Sequence, residues 1–144
     1  MKTYLMFFLI PFFLFSQEKK YEKTLSVSQF IKEIKEAEED GENYELKNTI
    51  ISFDPLLDSK YAVIREDGKF YQDVEITDLN ISDSISLKIE NCYFGNRRDF
   101  NSPTILFKDC KFGSLDWINN SVKISFDSIQ AKKIHFSQKK DSIS

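Results

Sequence analysis

The chain has 144 residues, with 20 Lys or Arg against 23 Asp or Glu and a formal net charge of -3. Nucleic-acid binding and attachment to an anionic membrane surface both need a concentrated excess of cations, and this balance excludes them as leading functions. With 1 histidine the chain cannot build a His-based metal site or a histidine pair.

The N-terminus begins with Lys2 and an almost wholly apolar run from Tyr4 to Phe15, then the small Ser16 and the polar stretch Gln17 to Lys20. That run has the length of a signal-peptide hydrophobic region and is too short to span a bilayer. Residues 1–16 are therefore read as a secretory signal that is removed, leaving no membrane span and a product in the periplasm or outside the cell. The Phe-rich run ending in Ser-Gln, ahead of a chain rich in Lys, Ile and Asn, resembles secreted proteins of the Bacteroidota.

Residues 17–43 form an N-terminal segment with one helix. Val27, Phe30, Ile31, Ile34 and Ala37 fall on one helical face, so the spacing predicts a helix over Val27 to Ala37. Ser26 with Gln29 makes a capping-box signature, and Gly41 is a natural stop. The expected role is to cover the first edge of the β region that follows.

From 44 to 136 the dominant signal is a five-residue beat of apolar pairs two positions apart. Its cleanest run is Ile105/Phe107, Cys110/Phe112 and Leu115/Trp117, resuming with Ile124/Phe126, Ile129/Ala131 and Ile134/Phe136. The same spacing covers Tyr44 to Ile51, Val74 to Ile81 and Leu87 to Phe94. Short extended pieces joined by corners would place each pair inside, as in a parallel β-solenoid. Asn48, Asp78, Asn91, Asp109 and Ser128 stand just before the third apolar residue of the five segments, and these types suit a left-handed corner. An antiparallel β-meander or sandwich is the alternative fold.

The units Cys92-Tyr93-Phe94-Gly95-Asn96 and Cys110-Lys111-Phe112-Gly113-Ser114 carry Phe centrally and Cys at the small inward position. They resemble pentapeptide-repeat proteins, and the resemblance implies a right-handed quadrilateral β-helix. Some members of that family mimic DNA. The outward Lys88, Lys108 and Lys111 interrupt the acidic stripe such mimicry requires, so this role is the least expected.

Two segments interrupt the beat. Residues 54–73 contain Pro55, the turn signal Asp67-Gly68 and the flanking runs Tyr61 to Ile64 and Lys69 to Tyr71, which predict a β-hairpin leaning off the main body. Gly95 to Pro103 is read as a loop, and 137–144 as a polar tail. Aromatics and arginines on excursions from a rigid scaffold favour recognition, so Tyr61, Phe70, Tyr71, Arg97, Arg98 and Phe100 are the candidate binding surface.

Cys92 and Cys110 occupy the same position of the beat and are expected to stack inside as two buried thiols, with a disulfide as the close alternative. Phe94 and Phe112 are likewise expected to stack, Trp117 to be core and His135 to face solvent. Asp54, Asp58, Asp73 and Asp83 show no spacing that converges on one site, and no catalytic, metal or cofactor residues are assigned. The expected function is a non-catalytic exported interaction module whose partner is an envelope protein or a glycan. The alternative is a carbohydrate-active enzyme, which would need three or more carboxylates meeting in a groove.

Overall fold

The computed structural model describes residues 21–54, 57–64, 70–77, 79–96 and 104–137. They form a mainly β protein with one α-helix. In chain order the elements are β1 (Lys23–Ser26), α1 (Val27–Asp40), β2 (Tyr44–Lys47), β3 (Thr49–Phe53), a 3-10 turn (Ser59–Tyr61), β4 (Ala62–Ile64) and β5 (Phe70–Thr77). After them come β6 (Ser86–Glu90), β7 (Tyr93–Asn96), β8 (Thr104–Lys108), β9 (Lys111–Ile118), β10 (Lys123–Asp127) and β11 (Gln130–Ser137).

The strands assemble into a first sheet ordered β1-β3-β7, a second ordered β2-β6-β9-β11 and a third ordered β4-β5-β8-β10. From β2 onward the chain visits the second, first and third sheets in rotation. Between β9 and β10 the visit to the first sheet is a single parallel bridge, Ser121 to Tyr93. Among the described strands every ladder is parallel except β4 with β5. Parallel neighbours need a long return path, and here the return runs through the other two sheets. The antiparallel alternative is thereby excluded.

The apolar beat stacks in register. Val74 and Ile76 lie opposite Ile105 and Phe107, which lie opposite Ile124 and Phe126. Leu87 and Ile89 lie opposite Leu115 and Trp117, which lie opposite Ile134 and Phe136. Because strand side chains alternate, this register turns every member of those columns to one interior. Up to β9 these residues are buried, whereas Phe126, Ile134 and Phe136 are 37%, 40% and 45% exposed, on strands that end their sheets among the described residues.

The corners have a common chemistry. Asn48, Asn91, Asp109, Asn119 and Ser128 all have φ between 52 and 55. Asp78, the remaining expected corner, lies outside the described residues, and Asn119 is a corner that the spacing does not predict. The left-handed conformation costs an ordinary L-residue about 1–2 kcal/mol, and Asn or Asp tolerates it best. The corners also bond to one another: Asn48 N donates to Glu90 O at 3.1 Å, Asn91 N to Ile118 O at 2.9 Å, and Asn91 Nδ2 to Asn48 Oδ1 at 2.5 Å.

After the corners at Asn48, Asn91 and Asp109 stands a small residue whose side-chain donor reaches back two residues. Thr49 Oγ1 donates to Lys47 O at 2.8 Å, Cys92 Sγ to Glu90 O at 3.4 Å, and Cys110 Sγ to Lys108 O at 3.3 Å. The two cysteines do not stack. Cys92 follows the corner into the first sheet and Cys110 the corner into the second, so both are buried thiols in separate columns. Burial pushes the Cys92 thiol up to about 11.

Phe94 and Phe112 do not stack either, since β7 and β9 belong to different sheets. Phe94 stacks on Trp117, with centroids 5.4 Å apart and planes at 25°, and Phe112 meets Phe107 edge-on at 5.4 Å. Both are 1% exposed, as is Trp117.

Helix α1 begins at Ser26, whose Oγ accepts from Gln29 N at 3.0 Å, and stops at Gly41 with φ 67. It runs past the predicted Ala37 to Asp40, because the cap at Gly41 rather than the last apolar residue sets its end. Val27, Phe30, Ile31 and Ile34 are buried, and the Phe30 ring meets Phe94 edge-on at 5.9 Å. Strand β1 has no counterpart among the predicted elements; Lys23 to Ser26 is too short to show alternation, and it forms by pairing with β3. The predicted hairpin exists as β4 against β5, but it does not lean away. Its second strand runs on through Val74 and Ile76 as a member of the third sheet beside β8.

Candidate functional site: a groove on the outer face of the first sheet

The alternation that sends Ile51, Phe53 and Phe94 inward sends Ile50, Ser52, Tyr93 and Gly95 outward. Register places them in rows. Thr24, Ile50 and Tyr93 are neighbours across the three strands, and Ser26, Ser52 and Gly95 form the next row. These rows floor a cavity of about 780 Å³, with Tyr21, Leu57 and Asp54 at its margins. That volume falls within the roughly 300–1,000 Å³ of small-molecule sites.

Gly95 shapes the floor. A Cβ there would stand 2.7 Å from Tyr93 Cε1 and 3.3 Å from Cζ, so the tyrosine ring lies along its own strand over the glycine. A standing ring would leave room for a side chain at that position. Tyr21 approaches the Tyr93 ring with centroids 6.1 Å apart and planes inclined at 50°.

One margin is pinned from within. Asp58 is 0% exposed. Its Oδ1 accepts from Ser28 Oγ at 2.6 Å and Ser28 N at 2.9 Å, and its Oδ2 accepts from Asp54 N at 2.9 Å. Ser28 lies in the first turn of α1, where unpaired backbone N–H groups favour a negative charge. The clamp ties Asp54 and Asp58 to the start of the helix, and Leu57, next to Asp58, is left 71% exposed beside the groove.

Of the sequence-predicted surface only Tyr61 has a described side chain, and it does not line this groove. Tyr61 is half-buried, packs against the core, and has its hydroxyl pKa raised by burial and by the nearby Asp58. Phe70 and Tyr71 lie on β5, their side chains outside the described ones, and Arg97, Arg98 and Phe100 lie outside the described residues. Sequence reasoning missed Tyr93 and Gly95, although a glycine inside a strand, two residues after a tyrosine on the same face, marks a close approach.

The carboxylates do not gather. Asp54 lines the groove, Asp58 is turned inward, and Asp83 is exposed with Oδ1 3.9 Å from Lys111 Nζ. The side chain of Asp73 is outside the described ones. Among the described residues no three His, Cys, Asp or Glu groups are placed to hold a metal ion. His135 is exposed, its Nδ1 3.9 Å from Asp116 Oδ1. Among those residues no helix is long and apolar enough to cross a membrane. In comparisons with known proteins, no family model, no curated sequence and no solved structure matches this chain.

Proposed function

We propose that this chain is a non-catalytic, exported β-solenoid of the pentapeptide-repeat-like kind that serves as a binding module for an envelope or extracellular partner. The solenoid reading is supported by the rotation of the chain through three sheets whose ladders are parallel apart from β4 with β5, and by the shared left-handed corners. Export rests on the apolar run of residues 4–15 alone. The observation that carries binding is the groove on the first sheet, a preformed concavity whose floor and margin are held by backbone pairing and by a buried carboxylate. A carbohydrate-active enzyme is the second reading, and it lacks support from Asp58, whose two oxygens are engaged in holding the fold.

The test is site-specific photo-cross-linking. A photoreactive residue at Leu57, exposed beside the groove, is expected to form adducts when the purified protein is mixed with envelope extract. The same residue at Lys111, on the second sheet, is expected to form none. Equal labelling from both positions, or none from either, overturns the reading.

A further inference from the structure

We infer that the groove receives a short neutral saccharide, with a sugar ring lying on Tyr93 and its hydroxyls meeting the serine row and Asp54. This inference rests on the reading of the groove as a ligand site. A pyranose has a dual surface: axial C–H bonds make one face apolar and flat, while hydroxyls project around the rim. The floor has the complementary division within one strand spacing. The Tyr93 ring is laid along its strand by Gly95, and the next row carries the hydroxyls of Ser52 and Ser26, with the Asp54 carboxylate at the margin. Ring faces favour apolar contact, while hydroxyl and carboxylate oxygens supply the directional bonds that fix orientation.

An acyl chain would use the apolar part of this surface but bury the Ser52 hydroxyl against hydrocarbon, a cost that polar burial imposes without return. A saccharide satisfies both parts. Leu57, next to the clamped Asp58, would close over the apolar edge of the bound ring.

Saturation-transfer NMR on the purified protein with cellotriose, maltotriose and chitotriose tests the assignment. At least one sugar is expected to show transfer concentrated on the C–H protons of one ring. Tyr93→Ala is expected to weaken its binding about tenfold, the loss of a single good aromatic contact. Gly95→Ala, which lifts the Tyr93 ring, is expected to weaken it comparably while the circular dichroism spectrum stays that of the wild type. Sugar binding indifferent to both substitutions overturns the inference. If no sugar binds but the apolar dye anilinonaphthalene sulfonate does, and Tyr93→Ala weakens the dye, the saccharide is wrong and the groove remains a ligand site. If neither sugar nor dye binds, both readings fall.

Discussion

Asp58 Oδ1 lies 2.6 Å from Ser28 Oγ, which ties a fully buried carboxylate to the first turn of the helix thirty positions earlier in the chain. Its partners on Ser28 and Asp54 are half-buried, and three hydrogen bonds to the carboxylate are lost together if it is removed. A hydrogen bond to a charged group is worth about 1.5–3 kcal/mol. Asp58→Ala should therefore lower stability in urea unfolding by about 3 kcal/mol or more. It should also loosen the margin at Leu57, read as a rise in adducts from a photoreactive residue there to positions outside the groove.

The inward register makes a graded prediction. Phe112→Ala removes a ring that is 1% exposed, and should cost about 3–5 kcal/mol through lost transfer energy and a cavity. Phe136→Ala, on a ring 45% exposed, should cost less than half as much. Lys111→Ala, next to Phe112 but facing outward, should stay within about 0.5 kcal/mol of wild type. Urea unfolding of the three variants gives the order directly, and equal losses for Phe112 and Lys111 would show the register to be wrong.

Gly113 is required by close approach rather than by its backbone angle. A Cβ there would stand 2.6 Å from Ser82 O and 2.7 Å from both Asp83 O and Ile85 O. Three backbone oxygens cannot swing aside as a side chain would, so Gly113→Ala should cost about 1–3 kcal/mol, as overpacking does. Hydrogen exchange should report it first at Ser114, whose N–H donates to Ile85 O, and at Ile85, whose N–H donates to Ser82 O.

Cys92 should make stability depend on pH in the alkaline range. Its ordinary value of 9.0 is raised to about 11 in the fold, chiefly by burial. The folded state therefore holds its proton more tightly than the unfolded one. Its contribution is whole below pH 9.0 and is lost as pH rises through about 11. Cys92→Thr places at this corner the residue type found at Thr49, which donates to the carbonyl two residues back without titrating. The difference in unfolding free energy between wild type and this variant should move against the wild type across that window. A difference independent of pH would contradict the shift.

The inward columns, the corners and the helix ends are legible in the sequence because local rules govern them. Alternation along a strand, the left-handed tolerance of Asn and Asp, and the caps at Ser26 and Gly41 are properties of a residue and its nearest neighbours, and the fold uses them unchanged. Which strand lies beside which is decided only by the tertiary structure. Cys92 and Cys110 share a position in the beat yet sit at different corners, because the corners at Asn91 and Asp109 carry the same signature although they lead into different sheets. Asp58 reads in the sequence as one scattered carboxylate because its partner is distant along the chain. The groove needs three strands brought into register before Thr24, Ile50 and Tyr93 become neighbours. Periodicity is written in one dimension and specifies a face; a site requires the meeting of faces, and the lengths of the passes between sheets set that meeting only once the chain has folded.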